Sequence, residues 1–404
     1  MINVAIMGYG TIGSGVARVL DENAPVISAR VGDDIRVKKI LDRRDFPEDP
    51  HADCFVKDIN DILDDDEIQI VVETMGGVEP AHTFVKDCLM RGKHVTTSNK
   101  ALVAKHGPEL LAIAKEKNVN FLFEASVGGG IPIIRTITSA VTADVVEAVM
   151  GILNGTTNYI LTKIEQEGSE FSDVLKEAQE LGYAEANPTD DVEGYDACRK
   201  IAILTSLNCG RNVDFEKIYT EGITKVTPED MEYAKAMGRT IKLLAVSRKV
   251  EEGTYAMVAP YMLGEEHPLY SVHGVFNAVF IHGNMLDDAM LYGRGAGSLP
   301  TASAVCGDIV DIARNLDKNS GVFYSDEEME LLDFEGIRNK FFVRVRGDVN
   351  DAANITAPFG KCEVVTCKSL EGEFGFMTEE MREDDFAAAF EKLEGAVSRY
   401  RLGN

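Results

Sequence analysis

The stretch Asn3 to Gly13, NVAIMGYGTIG, decides the fold. Asn3 to Met7 is a short run of the buried-strand type, and Gly8-Tyr9-Gly10-Thr11-Ile12-Gly13 follows at once. Ile12, Val16, Val19 and Leu20 then recur at helical spacing. A GxGxxG alone is a weak signal, but between a strand and a helix it is a dinucleotide-binding fingerprint. Gly8 permits the tight turn, Gly10 lets a pyrophosphate approach the backbone, and Gly13 lets the helix pack on the strand. The helix start at Thr11 and Ile12 offers free N–H groups and a positive dipole end to the phosphates.

A second strand, Ile35 to Leu41, ends at Asp42-Arg43-Arg44. An acid there takes the ribose hydroxyls of NAD, and an arginine takes the 2′-phosphate of NADP. Both are present, so either cofactor fits, with Arg43 and Arg44 leaning toward NADP. The strand Ile68 to Val72 runs into Glu73-Thr74-Met75-Gly76-Gly77, where Gly76 lets a ligand sit close to the backbone. A helix over Pro80 to Met90, a strand over His94 to Thr97 and a strand over Phe121 to Ala125 continue the alternation. This order predicts a doubly wound parallel sheet, a Rossmann-type α/β domain with right-handed crossovers. Lys100 falls just past a strand end, beside the expected nicotinamide, placed to hold a carboxylate or move a proton. Ser126 to Pro132 contains three glycines, a permissive turn whose carbonyls suit a hard cation.

The second informative stretch is Gly182 to Lys200, GYAEANPTDDVEGYDACRK. It begins as a loop through Asn187-Pro188 and becomes a helix from Tyr195 to about Leu207. Asp196 and Lys200 stand four apart and share a helix face. Glu185, Asp190, Asp191 and Glu193 crowd the approach. One ammonium among these carboxylates suits an amino-acid-like cationic ligand and a proton transfer; an ordinary solvated ion pair is the competing reading.

The 404 residues are 45% hydrophobic and 27% charged, the balance of a globular protein with room for two or three cores. A net charge of -26 repels phosphates, so neither nucleic acid nor an anionic membrane surface is the expected partner. No apolar run is long enough to span a bilayer, and no signal peptide is recognised after Met1. The seven cysteines are scattered without a CxxC, as in reduced intracellular chains, so a cytoplasmic location is expected. Cys198 lies inside a helix without an obvious histidine partner, which disfavours a cysteine-dependent semialdehyde dehydrogenase. The seven histidines form no pair at metal-ligand spacing, which disfavours a zinc-dependent alcohol dehydrogenase.

GYGTIGSGV, ETMGG, TSNKALVA, EASVGGGIPI, GILNGTTNYIL, LGYAEANPTDDVEGYDACRKIAIL and GRGAGSLPTASAV occur in this order, and over roughly residues 1 to 315 the chain resembles the homoserine dehydrogenase family. The resemblance implies reversible NAD- or NADP-dependent interconversion of L-homoserine and L-aspartate 4-semialdehyde, in the biosynthesis of threonine, methionine and isoleucine. It implies a homodimer or homotetramer acting on a small molecule. By this likeness Lys200 is the general acid/base, Asp196 its partner and Lys100 a second catalytic lysine. Glu185 and Asp191 match substrate-binding positions. Gly182 matches a backbone contact to cofactor or substrate, and Gly297 one near the nicotinamide. Glu124, Val127, Gly129 and Ile131 match the carbonyls that hold a structural sodium ion. A dehydrogenase for another small amino acid is the same-fold alternative, and a non-catalytic cofactor or amino-acid sensor the alternative of a different class.

The expected organisation is a nucleotide-binding domain over 1–133, completed by a returning helix at 300–316, and an α+β substrate and oligomerisation domain over 134–299. An acidic linker spans Asp317 to Leu332. Residues 340–404 read strand, turn, strand, strand, helix, strand and resemble a small ACT-type amino-acid-binding module. Threonine feedback and simple stabilisation of the oligomer are the two roles open to it.

Overall fold

The computed structural model describes residues 1–403, which form two compact units. The first comprises 1–145, 202–215 and 291–329; the second comprises 146–201, 216–290 and 330–403. The helix Tyr195–Cys209 runs across the boundary, and its opening turns, with Asp196 and Lys200, belong to the second.

In the first unit six parallel strands stand in the order Phe55–Val56, Ile35–Leu41, Ile2–Met7, Ile68–Glu73, His94–Thr97, Phe121–Leu122. That is the doubly wound order in which the first strand lies at the reversal point, where ligands bind beyond the strand ends. Ile2–Met7 is buried at every position, as a strand covered on both faces must be. Val4, Ile6, Val16, Leu20, Ile70 and Val72 share one core with Ala302, Val305, Ile309 and Ile312 of the helix Ser298–Ala313. This helix is the one expected to return at 300–316. It packs closely on the fingerprint helix Thr11–Glu22, where a Cβ on Gly15 would come within 2.7 Å of Ser298 Oγ.

The strand expected over Phe121 to Ala125 stops at Leu122. Glu124 to Ser126 instead form a single 3-10 turn, closed by Ser126 N–H donating to the Phe123 carbonyl. The Glu124 carboxylate accepts from the backbone N–H groups of Ile134 and Arg135 at 2.8 and 2.7 Å. Those side-chain bonds to the start of the next helix compete with extension of the strand. Part of the stretch expected as a linker is also ordered: Ser325–Glu328 pairs in parallel with Arg211–Asn212.

The second unit is built on a long mixed sheet. Its backbone is the antiparallel hairpin Arg239–Val250 and Gly253–Gly264, paired over twelve positions. Val146–Ile152, Phe276–Gly283 and Asp287–Arg294 extend it on one side. On the other side Ala396–Gly403 pairs in parallel with Gly253–Gly264, followed by Phe341–Arg346, Glu373–Thr378 and Cys362–Val365. Within residues 340–403 the spatial order of strands is thus fourth, first, third, second, the split βαβ arrangement. Phe341, Phe359, Phe374, Phe376 and Phe386 fill its core. This segment is fused to the rest by more than the sheet. Arg401, 1% exposed, donates to Glu383 and Glu221, and Tyr400 donates to Asp230 at 2.7 Å. Among the described residues no helix is long and apolar enough to cross a membrane.

Candidate active site

The glycine turn in the first unit behaves as its spacing requires. Gly8 has φ +93°, and a Cβ there would lie 2.9 Å from the Met75 backbone. A Cβ on Gly13 would strike the Gly8 carbonyl, whereas Gly10 has nothing within 4 Å, leaving room for a phosphate. No side chain caps the Thr11–Glu22 helix, so its first N–H groups, at Thr11 and Ile12, are left for an anion. Thr74 Oγ1 donates to the Gly8 carbonyl at 2.8 Å and ties the first strand end to the fourth.

A cavity of about 580 Å³ opens at these strand ends, lined by Gly8, Gly10, Asp42, Arg43, Gly76 and Glu79 among others. The Asp42 carboxylate already accepts from the Tyr9 N–H at 2.7 Å and from Arg44 at 2.9 Å. The Arg44 guanidinium holds it well below the usual carboxylate range. Lys57 also borders the cavity and donates to the carbonyls of Asp42, Arg43 and Arg44. Sequence reasoning passed over Lys57, which stands in the loop after a two-residue strand with no pattern to mark it.

Glu73 is fully buried beneath the 74–77 turn, where it accepts from Thr97 Oγ1 at 2.5 Å and Met75 N–H at 2.7 Å; burial pushes its pKa up. Lys100 is the first residue of the helix Lys100–Glu116, whose cap Asn99 accepts from Leu102 N–H and donates to the Gly77 carbonyl. Gly297, at φ +116°, begins the returning helix, and its neighbour Ser298 donates to the Thr11 carbonyl at 2.6 Å. Gly297 therefore stands beside the phosphate-facing turn.

Glu124, Val127, Gly129 and Ile131 lie along one tight turn, with Gly128 at φ +75° and Gly129 at φ +55°. The Ser126 hydroxyl inside this turn is buried without a hydrogen-bond partner. An enclosed turn that holds an unsatisfied buried hydroxyl fits a hard cation. An unforeseen buried carboxylate supports the turn from behind. Asp308 of the returning helix accepts from Thr96 Oγ1, Glu124 N–H and Arg135 at 2.9, 3.0 and 3.0 Å. Its only trace in the sequence is one acid on an apolar stripe.

In the second unit the Lys200 ammonium donates to Asp196 Oδ2 and to the Leu153 carbonyl, both at 2.7 Å. Asn154 Nδ2 donates to the same Asp196 oxygen at 2.8 Å and to Asp191 Oδ1 at 2.7 Å. Asn154 Oδ1 meanwhile accepts from Thr157 N–H at 2.9 Å, capping the helix Gly155–Glu167. Lys200, Asp196 and Asn154 are 9%, 4% and 6% exposed, far drier than a surface ion pair. Lys200, Asp196 and Asp191 are therefore brought together. Glu185 is not: it sits on an exposed loop and makes no bond to this group. Gly182, at φ +74°, turns the chain out of the helix Phe171–Glu180 toward that loop. Asp190 is paired with Arg199 at 2.6 Å. Asn154 is the residue sequence reasoning did not single out, although an asparagine between a strand and Gly-Thr-Thr is a capping signal.

A doubly wound sheet with a glycine turn and an open cleft at its reversal point defines a dinucleotide-binding domain of the NAD(P) class. A family model described as "Homoserine dehydrogenase, NAD binding domain" matches residues 8–124, and one described as "Homoserine dehydrogenase" matches residues 132–310. The chain belongs to the homoserine dehydrogenase family. It is 38% identical to a homoserine dehydrogenase of Bacillus subtilis, covering 97% of this chain and 94% of the relative, and 40% identical to one of Pseudomonas aeruginosa, covering 98% and 96%. The crystal structure of a homoserine dehydrogenase from Thiobacillus denitrificans superposes with a TM-score of 0.91 at 38% identity, over 100% of this chain and 98% of that one. A hyperthermophilic archaeal homoserine dehydrogenase in complex with NADPH superposes with a TM-score of 0.67 at 29% identity, over 77% and 97%.

Proposed function

We propose that the chain interconverts L-homoserine and L-aspartate 4-semialdehyde with NADP, using Lys200 as the proton carrier. The observation that carries this reading is a buried ammonium held by Asp196 and a backbone carbonyl, in a chain of this family. When bound, the nicotinamide supplies or takes the hydride at the substrate carbon. In the reducing direction a C–H bond forms at the aldehyde carbon, and Lys200 gives a proton to the oxygen as negative charge develops there. In the oxidising direction Lys200 takes the hydroxyl proton back. A positioned acid of this kind is worth about 10²–10⁴ in rate. Asp196 keeps the ammonium aimed; Asp191 takes the substrate's α-ammonium, which Glu185 would share only by closing in from its exposed loop; Lys100 takes its carboxylate or assists the proton transfer.

Arg43, Arg44 and Lys57 favour the 2′-phosphate of NADP over a bare ribose, because Asp42 is already committed to Tyr9 N–H and Arg44. The carbonyls of Glu124, Val127, Gly129 and Ile131 would hold sodium as a brace for their turn, outside the chemistry. Gly182 and Gly297 contribute backbone contacts to substrate or cofactor. The strand Asp287–Arg294 lies at one end of the sheet and carries exposed Met290, in keeping with a homodimer or homotetramer. The decisive assay follows NADPH formation with L-homoserine and with other hydroxy amino acids. Turnover confined to L-homoserine supports the proposal, turnover only with another substrate replaces it, and no turnover with any leaves a sensor.

A further inference from the structure

The helices Ala81–Met90 and Lys100–Glu116 of the first unit meet at a histidine–carboxylate cluster that the proposed chemistry does not use. Each segment brings a pair three residues apart, Glu79 with His82 and His106 with Glu109. His82 Nδ1 lies 3.1 Å from Glu79 Oε1, and His82 Nε2 lies 2.9 Å from Glu109 Oε2. The His106 ring stacks on that of His82 with centroids 3.8 Å apart, and its Nδ1 is 3.8 Å from the same Glu109 oxygen. Lys86 Nζ donates to the other Glu109 oxygen at 2.6 Å.

A neutral imidazole carries one N–H, so His82 cannot donate to both carboxylates. One of its two close contacts sets a nitrogen lone pair against a carboxylate unless a proton or a metal cation stands there. The arrangement has the form of a carboxylate–histidine–metal relay. Glu79 takes the Nδ1–H and fixes the tautomer, which turns the Nε2 lone pair toward Glu109 and His106. Four-coordinate zinc, with bonds of about 2.0–2.1 Å, spaces its ligands about 3.3 Å apart. The two separations to Glu109 Oε2, 2.9 and 3.8 Å, bracket that spacing. Because an imidazole lone pair lies in its ring plane and the two rings are stacked, the His106 ring must rotate out of the stack about its soft terminal torsion for Nδ1 to reach the same point.

The geometry points to a binding site for Zn²⁺, or a divalent transition metal of like preference, ligated by His82 Nε2, His106 Nδ1 and Glu109 Oε2, with the fourth position open to water. Glu79 and Lys86 orient the ligands from behind. Glu79 also lines the dinucleotide cavity, so the metal braces one wall of that cleft to the helix headed by Lys100.

The test uses the full chain after chelator treatment, titrated calorimetrically with Zn²⁺ and spectroscopically with Co²⁺. One tightly bound Zn²⁺ per chain, a higher Tm with metal and the visible bands of four-coordinate Co²⁺ are expected. His82→Gln/His106→Gln loses that equivalent, and Glu79→Ala weakens it by about 10–100-fold. Control His282→Gln, at the exposed cluster with Asp287 and Asp288, leaves it unchanged. A cooperative thermal transition of the chelated chain certifies that each variant is folded, and Glu109→Gln replaces the double variant if that one is not. Failure of the wild-type chain to bind Zn²⁺ overturns the assignment. Undiminished binding in the ligand variants overturns it equally.

Discussion

The Lys200 ammonium and the Asp196 carboxylate are held 2.7 Å apart, one helical turn from each other, with both groups nearly sealed from solvent. A pair in water at that spacing contributes little, because solvent screens it and the side chains lose entropy. Here the Leu153 carbonyl and the Asn154 amide complete the pair, so its direction is fixed before any substrate arrives. Lys200→Ala is expected to lower kcat by about 10²-fold or more while leaving the NADPH dissociation constant unchanged. Stopped-flow turnover and a fluorescence titration of NADPH on the same sample check this, and equal kcat in variant and wild type would remove Lys200 from the chemistry.

Asn154 serves two masters, the start of the helix Gly155–Glu167 and the carboxylates of Asp191 and Asp196. Asn154→Ala should therefore cost about 1 kcal/mol from the lost cap. It should also raise KM for L-homoserine, because both acids lose a donor that holds them in place. Asn154→Asp keeps the cap but sets three carboxylates against one another, so it should restore Tm less than it restores the helix and leave KM high. Thermal unfolding alongside steady-state kinetics separates the two effects.

The cations at the edge of the dinucleotide cavity make a prediction about cofactor choice. Arg43→Ala/Arg44→Ala should raise KM for NADP by about tenfold or more, the loss of roughly 1.4 kcal/mol of charge-assisted bonding. KM for NAD should change little, since a ribose hydroxyl presents no charge to lose. Parallel losses for both cofactors would show that the arginines only shape the loop through Asp42.

Lys242 supplies a pH signature of stability. It is fully buried on the strand Arg239–Val250, within 3.2 Å of His273 Nδ1, and Glu165 is the nearest acid. Burial pulls its pKa down from 10.5 to about 8. The unfolded chain therefore binds more protons than the folded one between those values, and stability should rise as pH climbs from about 8 toward 10.5. Below pH 8 the full cost of a buried ammonium remains. Lys242→Met should remove this rise and match or exceed the wild type at neutral pH. Denaturant midpoints at pH 7, 8, 9 and 10 test it, and an unchanged slope would assign the rise to other groups.

The N-terminal nucleotide fold was legible from eleven residues, because a strand, a glycine turn and a helix leave a local pattern: Gly8 must take positive φ and Gly13 must stay bare. Asp196 and Lys200 were legible for a similar reason, since four residues on a helix is a fixed distance. The partners of that pair were not. Leu153 and Asn154 stand more than forty residues earlier and reach Lys200 and Asp196, respectively, only through packing. Asp308 likewise joins Thr96, Glu124 and Arg135 across 212, 184 and 173 residues of chain.

The histidines mark the limit most clearly. Their spacing along the chain disfavours a zinc-dependent alcohol dehydrogenase and says nothing of which histidines meet, whereas two neighbouring helices bring His82 and His106 into ring contact. Sequence by itself determined the elements and the chemistry they carry, because helix and strand periods are set by neighbours along the backbone. The tertiary structure alone decided which buried donor meets which acceptor, because that depends on packing between segments distant in the chain.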